Sequence, residues 1–165
     1  MSGSAQRMTL LHRLAAICAV LAGVVLTGIT LMTCASVIGR NTTGWTLVGD
    51  FELSGSAAGA AIALFLPWCQ AQRGNITVDF FTAGTSDTTR QALDRIGALL
   101  LAAMMGLMAW RTTLGGLSAW TTQAGSMMLG FPEWIVYVLM VPPLVLTAVI
   151  ALVQALCGFG REASA

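Results

Sequence analysis

The sequence contains no lysine, and only 9% of its 165 residues are charged. Soluble domains carry about 25% charged residues, so this chain has too few charges to cover a surface in water. The same shortage excludes a nucleic-acid-binding face, because such a face requires clustered basic residues. With 56% hydrophobic residues and a mean hydropathy of +0.80, the composition indicates an integral membrane protein.

Metal-binding and catalytic residue types are also scarce. The four cysteines lie inside apolar runs and form no Cys-x-x-Cys pair, which predicts small apolar side chains rather than a disulfide framework or a zinc site. The single histidine, His12, cannot provide paired haem ligands. There is no His-Glu-x-x-His, no Gly-x-Ser-x-Gly and no lysine for a phosphate-binding loop. We therefore expect neither an enzyme nor a bound cofactor or metal.

Four long apolar runs predict membrane-spanning helices, and only the third contains a charge. They cover residues of about 14–39, 53–72, 96–121 and 134–157. A helix of 20 residues extends ~30 Å, which matches the hydrocarbon thickness of a bilayer. Because no repeat, linker or change in composition divides the chain, we predict one all-α integral membrane domain over residues 1–165.

The arginines are distributed unevenly between the two sides of the predicted fold. Four spans place both termini on one side, together with the connection between the second and third spans. That side contains six arginines, and the two opposite connections contain only Arg40. Cytoplasmic segments carry an excess of Lys and Arg, so we predict that both termini are cytoplasmic. The six arginines are Arg7, Arg13, Arg73, Arg90, Arg95 and Arg161.

Small residues recur every fourth position in the second span, at Gly55, Gly59 and Ala63. This spacing places them on one helix face, where another helix can approach closely in a membrane. Alternatively, they are simple fillers of an alanine-rich segment. We favour a packing face, within this chain or against a partner subunit.

A few ionisable residues lie at or inside the predicted spans. Asp50 and Glu52 could bind an ion, but we favour a structural role because a helix N-terminus attracts acids. Arg111 lies about 22 Å along the third span from Ile96, toward its outer boundary. A functional relay, an interhelical ion pair and snorkelling to the surface are all open readings of Arg111. We favour an ion pair with Glu52 or Glu133.

Residues 49–79 contain a Gly-x-x-Glu-Leu entrance to the second span, an aliphatic-Pro step and an Arg-Gly-x-Ile-x-Val-Asp exit. This order resembles the small membrane subunit (DctQ-like) of tripartite ATP-independent periplasmic (TRAP) transporters. Asn75 stands where that family often has His, which argues against protonation chemistry at this turn. The likeness extends over most of the chain through Arg40, Pro132, Trp134 and Pro142. The matching residues within the stretch are Gly49, Glu52, Leu53, Leu66, Pro67, Arg73, Gly74, Ile76, Val78 and Asp79.

The resemblance implies an accessory role in the bacterial inner (cytoplasmic) membrane. In such systems a large permease subunit moves the substrate together with sodium ions. A periplasmic substrate-binding protein delivers that substrate, typically an organic acid. The small subunit packs against the large one as a scaffold, so its sequence is not expected to encode the substrate.

Two other classes of function remain open on the residues alone. A free-standing four-span transporter or channel, forming its own oligomer, would need polar faces on several helices. Such a face is present only weakly in the third span, at Thr112, Thr113 and Ser118. A membrane-embedded enzyme subunit would need a convergent His, Asp or Cys cluster, which the sequence lacks.

Overall fold

The computed structural model describes residues 2–45, 47–72 and 87–157. Within these ranges the chain forms four α-helices and no β-strand, with one isolated bridge between Gly125 and Pro132. Each helix contains an apolar stretch long enough to cross a membrane. The predicted all-α fold with four membrane-spanning helices is therefore confirmed. The helices are α1 (Ser2–Thr42), α2 (Asp50–Ala71), α3 (Asp87–Thr121) and α4 (Trp134–Cys157).

Helices α1 and α3 are longer than the apolar runs inside them. Helix α1 begins at Ser2 and α3 at Asp87, whereas the apolar runs begin near residues 14 and 96. An α-helix satisfies its own backbone hydrogen bonds, so it can continue from polar surroundings into lipid without a break. Helix α2 begins at Asp50, and its two first-turn acids favour the positive end of the helix dipole.

The four helices form an open row in the order α1, α2, α4, α3. Helix α2 packs against α1 and α4, and α3 packs against α4. Within the described residues α1 touches α4 only slightly, and α3 contacts neither α1 nor α2. The α1–α2 and α3–α4 connections lie at one end of the row, which we call the loop end. The start of α1 and the end of α4 lie at the opposite end, which we call the terminal end.

Small side chains make most of the helix–helix contacts. Ala22 of α1 and Ala61 and Leu64 of α2 form a buried cluster, flanked by Cys18 and Val25. Apolar surface gains little by leaving lipid, so membrane helices associate through close van der Waals packing, which alanine permits. Large apolar side chains such as Leu31, Leu100 and Leu156 are mostly exposed on the outside of the row.

A buried polar pair joins α2 to α4 near the terminal end. The Gln70 side-chain amide donates to Gln154 Oε1 at 2.7 Å, and the Gln154 amide donates to the Gln70 carbonyl oxygen at 3.0 Å. Only 5% of Gln70 and 7% of Gln154 is exposed. The pair fixes the parallel register of the two helices because a one-residue shift would leave buried polar atoms unpaired.

Candidate partner interface

Gly49 lies at the loop end, immediately before α2, and its backbone and surroundings both require glycine. Its φ angle is +81°, in the left-handed region. A Cβ atom at this position would lie 2.5 Å from Leu129 Cγ in the α3–α4 connection. The first residue of the Gly-x-x-Glu-Leu motif is therefore a point of close approach between two connections.

Asp50 ties the start of α2 to α1. The Ser36 hydroxyl donates to Asp50 Oδ2 at 2.5 Å, and the Ser36 side chain is fully buried. The N-cap residue of α2 is Gly49, which has no side chain, and α2 has no side-chain capping hydrogen bond. The favoured structural role of Asp50 thus takes the form of an interhelical contact.

Glu52 contacts the α3–α4 connection. Both carboxylate oxygens accept from the Met128 amide, at 3.2 Å each. Within the described residues no ion pair links Glu52 or Glu133 to Arg111, so the favoured ion pair is not present inside this chain. Glu52 is one turn from Gly49, and together they hold residues 126–130 against the start of α2.

The connection held by Glu52 is a compact, hydrogen-bonded loop. The Ser126 amide donates to the Phe131 carbonyl at 2.9 Å, and the Glu133 amide donates to the Ala124 carbonyl at 3.0 Å. Gly130 adopts a φ of +62°, which allows the chain to reverse. At the tip Met127 is 99% exposed, so the loop presents an uncharged apolar surface next to the membrane.

The small-residue face of α2 is only partly used within the chain. Ala63 is buried, but Cβ atoms added at Gly55 or Gly59 would meet nothing within 4 Å. The residues by which α2 packs in this chain are turned toward α1 and α4. They are Ala60, Ala61, Ala63, Leu64, Pro67 and Gln70. A packing role for Gly55 and Gly59, inside this chain or against a partner, therefore stays a prediction.

Helices α3 and α4 meet along a closely packed seam. A Cβ atom at Gly116 would lie 2.9 Å from Tyr137 Cβ, and the rings of Trp120 and Trp134 pack edge-on with centroids 4.9 Å apart. Two grooves of about 560 and 540 Å³ follow this seam. Their lining is almost entirely apolar, with Thr113 contributing to both.

The same seam gives the depth of Arg111 in the row. Because α3 and α4 are antiparallel and Gly116 faces Tyr137, Arg111 is level with Pro142. Pro142 lies about 12 Å along α4 from Trp134, closer to the middle of α4 than to its end. Counted along α4, Arg111 is therefore about a third of the helix length from the loop end. A charge at the centre of a membrane helix costs about 2.5–3.5 kcal/mol on insertion scales, so the environment of Arg111 matters.

The predicted turn residues Arg73, Gly74 and Asp79 lie outside the described residues. Within the described ranges no group of three or more His, Cys, Asp or Glu side chains could hold a metal ion. Cys18, Cys34 and Cys69 are free thiols. The structure thus brings together Gly49, Asp50 and Glu52 at the loop end. Within the described residues it places no side chain over Gly55 or Gly59 and leaves Arg111 exposed.

Comparison with known protein families identifies the family to which this chain belongs. The model of the family described as tripartite ATP-independent periplasmic transporters, DctQ component, matches residues 29–161. The chain belongs to the DctQ family. No curated protein and no solved structure matches it. This DctQ chain is therefore a multi-pass membrane component of a TRAP transporter and not an enzyme. Members of its family function in tripartite transporters with a large permease and a periplasmic binding protein.

Several structural residues of this DctQ chain were missed by sequence reasoning. Gln70 and Gln154 were not paired, although each is a polar amide within a predicted span, which is a usable signal. Ser36 gave no comparable signal, because single serines are common in membrane helices. The consecutive glycines Gly115 and Gly116 could have indicated a close helix contact, since small residues mark such sites.

Proposed function

We propose that this DctQ chain is a scaffold for the large permease subunit of a TRAP transporter in the bacterial inner membrane. In this proposal the large subunit carries out sodium-coupled uptake of an organic acid that a periplasmic binding protein delivers. The small subunit transports nothing alone. Both its termini are cytoplasmic, which places the loop end at the periplasmic side.

The open row of helices carries this proposal. Edge helices α1 and α3 each contact one main neighbour, so broad apolar faces are uncovered at both sides of the row. Lipid alone could cover such faces. The family, however, works with a large membrane partner, and an open row offers more surface to that partner than a closed bundle of four helices.

The scarcity of polar groups in the described helices supports the proposal that the large subunit transports the substrate and this chain does not. Substrate and ion pathways in membranes usually contain ionisable side chains that face a protein interior or a water-filled cavity. In the described parts of this chain the two grooves beside α4 are apolar, and Arg111 lines neither of them. The buried polar groups Gln70 and Gln154 satisfy each other and line neither groove.

Gly55 and Gly59 are our candidates for contact with the large subunit. The open space over both positions fits an approaching helix, and small residues at four-residue spacing favour such an approach. Ala63 and Glu52 belong to the same α2 region, but they are already engaged inside this chain.

Copurification tests the scaffold role. The chain is expressed with its large subunit, extracted in mild detergent and isolated through a tag on the small subunit. We expect a stable complex for the unmodified chain, loss of the complex for Gly59→Leu, and retention for Gly23→Leu. Gly23 is the control for the added side-chain volume, because a Cβ at this position also meets nothing within 4 Å but lies on α1, outside the Gly55 and Gly59 face under test.

The other outcomes of this experiment count against the proposal. Absence of a complex with the unmodified chain, together with a homo-oligomer in native mass spectrometry, would favour a free-standing transporter or channel. Equal complex yields for Gly59→Leu and Gly23→Leu would remove the Gly55 and Gly59 contact while leaving the scaffold role intact.

A further inference from the structure

Arg111 is an exposed cation on an edge helix. In the described part of the chain it takes part in no hydrogen bond and no ion pair. Its guanidinium carries five N–H donors and a positive charge, so in a membrane it requires an acceptor. The acceptor must therefore come from lipid, water or another protein.

The acids of the described chain cannot serve as this acceptor. Asp50 and Glu52 lie on α2, which α3 does not contact. Asp94 and Asp87 lie 17 and 24 positions earlier on α3, which corresponds to about 25 and 36 Å. Glu133 precedes Trp134 at the loop end, about 13 Å from the level of Arg111 along the helices.

The surface around Arg111 is mostly apolar and turned away from α4. On α3 the exposed side chains one and two turns from Arg111 include Met104 (56%), Leu107 (57%) and Leu114 (44%). Residues spaced by three, four and seven positions share one helix face. Arg111 is thus the single charge between Met104 and Ser118 on this stripe, where Ser118 is the other polar side chain; we call the stripe the outward face of α3.

Depth and side-chain direction argue against a lipid phosphate as the acceptor. Arg111 is level with Pro142, about 12 Å from the Trp134 end of α4. In an α-helix the Cα–Cβ bond tilts toward the N-terminus, which for α3 is away from the nearer membrane surface. Reaching the headgroups of the nearer leaflet would require the side chain to fold back over more than one helical turn.

We propose that the outward face of α3 docks against a membrane helix of the large permease subunit, and that a carboxylate on that helix binds Arg111. This inference rests on the proposed scaffold function and names one of its contacts. Arg suits the contact because its planar guanidinium binds a carboxylate through two parallel hydrogen bonds. A single buried pair on an apolar face would also fix the register of the two subunits.

The test is copurification of the two membrane subunits with charge variants of Arg111. Removing one member of a buried ion pair leaves the other charge unpaired, so Arg111→Gln should lower the yield of complex about 30-fold or more. Arg95→Gln, an exposed arginine of the same helix about 24 Å away, is the matched control and should retain the complex. Circular dichroism of each variant alone verifies that the chain still folds.

A charge exchange identifies the partner carboxylate. Arg111→Asp is combined with single Arg substitutions at each acidic residue in the membrane helices of the large subunit. We expect one combination to restore the complex that Arg111→Asp loses. Failure of every combination, with a folded small subunit, would contradict a direct ion pair.

The outcomes separate this inference from the scaffold proposal. If the unmodified subunits do not copurify, the scaffold proposal itself is wrong. If they copurify and Arg111→Gln does so equally well, only the Arg111 contact is wrong. An intact Arg111→Gln complex that has lost bound phospholipid, measured as phosphorus per complex, would assign Arg111 to lipid phosphate and overturn the contact.

Discussion

Gly49 meets two structural demands that other residue types do not meet together. Its left-handed backbone starts α2, and the absence of a side chain leaves space for Leu129. A neighbouring glycine, Gly44, has a similar φ of +72° but nothing within 4 Å of an added Cβ. Comparing the same substitution at Gly49 and at Gly44 therefore separates the cost of backbone strain from the cost of displacing Leu129.

We predict that Gly49→Ala destabilises the chain more than Gly44→Ala. Both substitutions force alanine into the left-handed region, at about 1–2 kcal/mol. Gly49→Ala additionally displaces Leu129, and overpacking of this kind costs about 1–3 kcal/mol. The measurement is the free energy of unfolding in detergent micelles. Leu129→Ala should recover the additional part, and equal losses for the two glycines would show that the Leu129 contact contributes nothing.

Gln70 and Gln154 are predicted to stabilise the contact of α2 and α4 as a pair. Gln154→Leu leaves buried polar atoms of Gln70 without their partner, and hydrogen bonds between membrane helices contribute about 0.6 kcal/mol on average and up to ~1.7. We expect a loss in this range for Gln154→Leu. The double variant with Gln70→Leu should lose less than the sum of the single variants. Strict additivity in this double-mutant cycle would mean that the two amides do not interact.

The existence of the four helices followed from the sequence, but their arrangement did not. An uncharged run such as 53–72 must form a helix to satisfy its backbone in lipid, whatever its neighbours are. Which helices touch depends on surface shape, and hydropathy does not encode shape. Gly55 and Gly59 illustrate this, because their spacing predicted a packing face while α2 packs inside the chain through Ala60, Ala61 and Leu64.

At the loop end, the sequence indicated which residues are structural but not which residues they contact. The acids of the first turn of α2 were assigned a structural role, which fits the bond between Ser36 and Asp50. Arg111 was predicted to pair with Glu52 or Glu133, whereas in the described chain Glu52 accepts from the Met128 amide, 76 residues away in sequence. Opposite charges were the available signal, and a backbone amide in a distant loop gives none.

Adding a side chain to the closely packed seam of α3 and α4 should weaken the contact between these two helices. Gly116→Ala places a methyl group 2.9 Å from Tyr137 Cβ, whereas Gly106→Ala on the same helix meets nothing within 4 Å. We predict a loss of about 1–3 kcal/mol for Gly116→Ala. Gly106→Ala should be neutral or stabilising by up to ~1 kcal/mol, because alanine favours helix over glycine. Thermal unfolding monitored by circular dichroism compares them, and an equal response would contradict the close seam.

The whole molecule is an open row that buries little of its apolar surface. The most apolar 18-residue window of α1 is 11% buried and that of α3 is 17% buried, against 28% for each of the two central helices. The edge helices therefore provide most of the surface that is free for lipid or for a partner. This distribution agrees with a component that completes its packing outside itself.

The orientation of the row in the membrane is a prediction from the arginine count. We expect both termini in the cytoplasm. In a variant whose four native cysteines are replaced by alanine, single cysteines are added at residue 3, at residue 164 and at Met127 in the exposed loop. An impermeant maleimide applied to intact cells should label only the Met127 position. Labelling at either terminus would contradict the orientation.

Uptake by reconstituted liposomes tests the scaffold role most directly. Liposomes with an inward sodium gradient contain this chain alone, the large subunit alone, or both, and the periplasmic binding protein loaded with radiolabelled organic acid is added outside. The account predicts sodium-dependent uptake only when both membrane subunits are present. Sodium-driven uptake by this chain alone would contradict it.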